Sequence, residues 1–127
     1  MNYTIHSFVM ALNAAKHDAV ETMKRSEVPE LYAGRIANMA VIDGLGSVAA
    51  AHRAELEGKE PEMVNGIYVN DRKVRIEKCR LQGPAIDAYD EIVDACVRTS
   101  EKFQMFDAGS LGAVRDLFWK YNGGKYV

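Results

Sequence analysis

Few of the residues that announce a special chemistry are present. There are two cysteines, three histidines and three prolines among 127 residues. Cys79 and Cys96 have no metal-ligand spacing and no secretory context, so both are expected to be reduced thiols. A formal net charge of −2 argues against a general nucleic-acid binder, which is normally basic overall. No apolar run approaches the roughly 20 residues that span a membrane. The first residues, MNYTIHSFVM, lack the charged start and cleavage site of a signal peptide. The expectation is a cytosolic protein, in the host cytoplasm if phage-encoded, with neither membrane nor nucleic acid as partner. There is no internal repeat, low-complexity stretch or linker, which predicts one domain over 1–127.

What is present is helical periodicity. The stretch 84–106, PAIDAYDEIVDACVRTSEKFQMF, reads as one amphipathic helix opened by Pro84, whose missing N–H costs nothing in a first turn. Asp87, Asp90, Glu91, Asp94, Arg98, Glu101 and Lys102 share an arc of roughly 120°. The rest of the surface is apolar, which suits a helix packed on two sides. Glu91 and Asp94 stand at i and i+3, so their carboxylates point the same way and suit a shared divalent cation. The plainer reading of such an arc is a solvated face.

Three further helices are predicted. Over 4–24, with Thr4 as N-cap, Phe8, Leu12, Ala15, Ala19 and Met23 recur at spacings of three and four. Over 30–57, Leu31, Ile36, Met39, Val41, Ile42, Leu45 and Val48 supply the apolar part, and Gly58 closes the helix. Asp43, Gly44, Ser47, Ala50, Ala51 and Ala54 share another face. A mid-helix glycine costs about 1 kcal/mol against alanine, so Gly44 and Gly46 imply close helix packing or room for a ligand. A short helix over 110–121 has Ser110 as its cap. Between the second and third long helices, IYVNDRKVRIEKC at 67–79 predicts a small basic β-hairpin inserted at about 66–80. The fold class is therefore mostly α, an antiparallel four-helix bundle-like core that brings 43–51 against 87–98.

Three blocks in this order, IDGLGSVAAAHR (42–53), EIVDACVR (91–98) and YNGGK (121–125), resemble the motifs of the all-α NTP pyrophosphatase superfamily, the MazG-like proteins. The resemblance covers roughly residues 30–125. It implies a homodimer or homotetramer and a nucleotide ligand. It also implies magnesium held by a Glu-x-x-Glu pair on one helix and a Glu-x-x-Asp pair on another. The second pair is present as Glu91 and Asp94. The first falls on Gly44 and Ser47, which carry no charge. Asn122 is kept, and Lys125 stands where the family places an arginine on phosphate.

That departure bears on the chemistry. Hydrolysis of a polyphosphate needs metal ions to activate water and neutralise developing charge, and magnesium is usually held by clustered carboxylates. The expectation is a non-catalytic nucleotide-binding protein in which side-chain cations meet the phosphates. Its nucleotide-binding residues would be Asp43, Ser47, Arg53, Arg75, Arg98, Tyr121, Asn122 and Lys125. Glu91 and Asp94 remain as ligands for Mg2+ if any is held. Such a protein would suit a phage that sequesters a nucleotide immune signal. Two alternatives stay open: a live Mg-dependent pyrophosphohydrolase using Glu91, Asp94, Asp43 and Glu55, and a helical interaction protein with no small ligand.

Overall fold

A computed structural model describes residues 3–59, 63–64, 67–68 and 83–122. Four helices account for nearly all of them: α1 (Tyr3–Arg25), α2 (Glu30–Leu56), α3 (Pro84–Phe103) and α4 (Ala108–Tyr121). The α1 stripe is buried as its spacing predicts, through Phe8, Val9, Leu12, Ala19 and Met23, while Ala15 is only half-buried. Thr4 lies inside α1 and so does not cap it.

The centre of the molecule is α2, which packs against each of the other three helices. Between Ala33 and Val48 it buries eleven residues, Asn38, Asp43, Gly44 and Ser47 among them. Leu31 does not join the core; it is 74% exposed at the start of the helix. Gly58 adopts a positive φ of 69°, and Lys59 N–H returns to Ala54 O at 2.8 Å, the glycine-led ending that the sequence predicts.

In α3 the division of faces is clean. Ala85, Ala88, Tyr89, Ile92, Val93, Ala95, Cys96, Thr99 and Ser100 are buried. Every charged member of the arc from Asp87 to Lys102 is exposed. Each large apolar side chain removed from water contributes about 1.5–3 kcal/mol, so Tyr89 and Ile92, both fully buried, anchor the helix. α3 ends at Phe103, three residues before the expected limit. Gln104 turns left-handed at φ 52° and Met105 N–H closes on Ser100 O at 3.0 Å. The cap of α4 is Asp107, whose carboxylate accepts from Ser110 N–H at 2.8 Å; Ser110 supplies the N–H where the sequence suggested the cap.

The helices do not simply alternate in direction. α1 runs against α3, since Phe8 near the start of one stacks on Phe103 at the end of the other. α2 follows α1 through a tight turn in which Val28 N–H bonds Met23 O at 3.0 Å. Thus α2 and α3 run the same way: Asp43 meets Tyr89, and one to three turns on, Val48 and Glu55 meet Val97 and Glu101. The two helices are joined by the connection 57–83, most of which lies outside the described residues. Within it, Met63–Val64 pairs antiparallel with Ile67–Tyr68. The hairpin expected at 67–79 would pair Ile67–Tyr68 with a later strand instead; residues 69–82 are outside the described residues, so that pairing lies there too.

Candidate functional site

Three places bear on function. The first is the motif face. Gly44 is pressed against α3: a Cβ built on it would meet Cys96 Sγ at 2.7 Å, Cys96 Cβ at 3.0 Å and the Val93 backbone at 3.2 Å. The glycine is therefore the seat of the α2–α3 contact. Ser47, one turn on, is 1% exposed. Asp43 is buried and accepts the Tyr89 hydroxyl hydrogen at 2.5 Å. Burial also pushes the Cys96 thiol up to about 12, so it sits in this contact as a small neutral side chain.

The two family-type carboxylates do not face that surface. Glu91 and Asp94 are exposed on the solvated arc of α3, and Asp94 pairs with Arg98 one turn along. Among the described residues, no three His, Cys, Asp or Glu side chains converge as metal ligands would. The chain thus does not bring 44 and 47 opposite 91 and 94 across a cleft. Arg53 is exposed. Arg75 and Lys125 lie outside the described residues.

The second place is a cleft where the C-terminal halves of α2 and α3 diverge. It encloses about 210 Å³ and is lined by Val48, Ala51, His52, Glu55, Val97, Glu101 and Phe106. Its wall is the His52 imidazole stacked on Phe106, ring centres 5.9 Å apart and 27° from coplanar. Valine and alanine line the rest, and Glu55 and Glu101 are exposed carboxylates at the rim. The cap that starts α4 abuts this wall. Asp107 is held below the usual carboxylate range chiefly by the Ser110 N–H and hydroxyl, with a smaller attraction from His52. The sequence pattern points to His52 only as part of a motif, and Phe106 reads there as the end of a core helix.

The third place joins α1 to the end of α4. Lys16 Nζ donates to Asn122 Oδ1 at 2.5 Å. Asn122 Nδ2 donates in turn to Asn13 Oδ1 at 3.1 Å and to Phe118 O at 2.8 Å. The ammonium lies 5.7 Å from the centre of the Phe118 ring, and burial lowers its pKa. Next to it the Tyr121 hydroxyl and His6 Nδ1 are 3.0 Å apart. Two expected site residues, Tyr121 and Asn122, are therefore together, with partners from α1 that the motifs did not indicate. A signal for Lys16 does exist. It falls on the same arc of α1 as Val9, Leu12 and Met23, and a lysine on a core stripe is a departure from the helical pattern.

Comparison with protein-family models, curated proteins and solved structures finds no match for this chain. Among the described residues, no helix is long and apolar enough to cross a membrane.

Proposed function

We propose that this chain is a non-catalytic nucleotide-binding protein whose base site is the cleft between α2 and α3. One observation carries the reading: an apolar pocket with an aromatic wall, His52 on Phe106, and two rim carboxylates. Planar bases stack on such walls with about 1–3 kcal/mol each. Ionised carboxylates are pure acceptors, so Glu55 and Glu101 match the amino and imino hydrogens of a base and repel phosphates. The phosphates then lie away from the rim, where exposed Arg53 is an available cation; Arg98 is paired with Asp94.

Placement supports the absence of turnover in this reading. Phosphoryl chemistry of the MazG-like type needs acids from two helices around the same metal ions. Here Gly44 and Ser47 are sealed against α3, and Asp94 is paired with Arg98. Capture of an intact nucleotide, as in sequestering a signal, suits this arrangement. The same reading includes a homodimer or homotetramer, for which exposed Leu31, Tyr32 and Leu56 supply apolar surface.

The test is a nucleotide panel read by thermal shift and calorimetry, with and without magnesium, followed by chromatography of the recovered ligand. Expected are saturable stabilisation by at least one nucleotide, recovery of that ligand unchanged, and at least tenfold weaker binding in Phe106→Ala. Multiple-turnover release of pyrophosphate overturns the non-catalytic reading. Failure of every nucleotide to bind leaves the helical interaction protein, which the tight Gly44 contact supports on its own. Light scattering that finds a 14.1 kDa monomer removes the oligomer.

A further inference from the structure

The Lys16 cluster is more than a tie between α1 and α4, because its hydrogen bonds leave an unbalanced remainder. The amide of Asn122 has a fixed orientation. Its nitrogen has two acceptors, Asn13 Oδ1 and Phe118 O, and its oxygen faces the ammonium of Lys16. Turning it over would set an NH2 against an ammonium and leave both acceptors unserved. Asn13 in turn uses its oxygen as acceptor. What remains is donors only: two N–H of the ammonium and the Nδ2 hydrogens of Asn13, none with an acceptor among the described residues.

Charge is unbalanced in the same way. Lys16 is half-buried, and among the described residues it forms no pair with a carboxylate. The face of the Phe118 ring offers the ammonium a weak cation–π attraction. A partly desolvated ammonium without a counter-charge is costly, and charge-assisted bonds from an oxyanion would satisfy both deficits.

We propose that Lys16 and Asn13, oriented by Asn122, form a binding site for a phosphoryl group or similar small oxyanion. The site does not rest on the cleft at His52 and Phe106, and it holds whether or not that cleft takes a base. Lysine binds a phosphate as a point charge, and an amide donor beside it adds a second hydrogen bond to the terminal oxygens.

The experiment uses the full chain and inorganic phosphate as probe. The side-chain resonances of Lys16 are followed by NMR across a phosphate titration, with sodium chloride of matched ionic strength as control. Phosphate is expected to shift Lys16 saturably and to raise its pKa, while chloride does neither. Asn13→Ala is expected to raise the half-saturating phosphate about tenfold, the scale of one charge-assisted hydrogen bond. Lys16→Met should abolish the stabilisation by phosphate, and Lys24→Met, at the far end of α1, should leave it unchanged. If Lys16→Met does not fold, the wild-type titration and Asn13→Ala still decide. Lys16 resonances that respond equally to phosphate and chloride, or an Asn13→Ala chain with unchanged affinity, overturn the site. A nucleoside monophosphate as second probe separates sources. Shifts at Lys16 together with His52 put one ligand across both places, and shifts at Lys16 alone make this an independent phosphate site; either outcome supports it.

Discussion

Tyr89 of α3 donates its phenolic hydrogen to Asp43 of α2 across a buried distance of 2.5 Å. Both residues are nearly or fully removed from solvent, so this bond fixes where the two parallel helices first meet. Tyr89→Phe keeps the ring and removes the donor. Losing a hydrogen bond to a carboxylate is expected to cost about 1.5–3 kcal/mol, read from chemical denaturation. If stability is unchanged, Asp43 does not depend on the Tyr89 donor.

The contact one turn further on predicts intolerance at Gly44. Alanine would gain about 1 kcal/mol of helix propensity, but its Cβ meets Sγ of Cys96 and backbone of Val93 well inside normal contact. Overpacking of this kind costs about 1–3 kcal/mol, so Gly44→Ala should be neutral to destabilising despite the propensity gain. Gly44→Glu with Ser47→Glu, which would restore the family acids in sequence, should lower the melting temperature sharply and create no pyrophosphohydrolase activity. A stable, active double variant would show that α2 and α3 separate there.

Cys96 is fully buried and its thiol is pushed up to about 12 by that burial. The thiolate is the reactive form, so at neutral pH an alkylating reagent should leave Cys96 unmodified in the native protein. It should label rapidly once denaturant unfolds the chain. Peptide mapping by mass spectrometry assigns the label to this cysteine, and rapid native labelling would indicate local opening of the α2–α3 contact.

Asp107 gives a pH dependence with a definite sign. Its carboxyl is held below the ordinary value of 3.8, first by the Ser110 N–H it caps. A depressed pKa in the folded state means that the unfolded chain binds the proton more readily. The contribution is complete above the ordinary carboxylate range and drains away as pH falls through the lower folded value. Asp107→Ala should therefore lower the melting temperature at neutral pH and flatten its decline in acid. An acid limb identical to wild type would assign acid sensitivity to other groups.

The local order of this protein is written in its sequence, because helix periodicity and end signals act over a few residues. The Phe8–Met23 stripe, the charged arc of α3, Pro84 and Gly58 all specify their elements without reference to anything distant. End signals mislead at Thr4, which lies inside α1, and at Ser110, where the neighbouring Asp107 caps α4 through the Ser110 N–H. The plainer reading of Glu91 and Asp94, a solvated face, was also available, since all seven charges fall on one arc.

Tertiary structure decided everything that depends on which faces meet. Gly44 had two meanings on its own helix, space or contact, and only the arrival of Cys96 and Val93 selects contact. Helix direction is similar: a periodic pattern is the same read up or down, and only the contacts between α2 and α3 show that the two run parallel. The Lys16–Asn122 bond joins residues 106 positions apart, so no local spacing encodes it. A lysine on a core stripe signals that something unusual happens there, but the amide network that turns it into a cluster of unspent donors exists only once α4 has folded back onto α1.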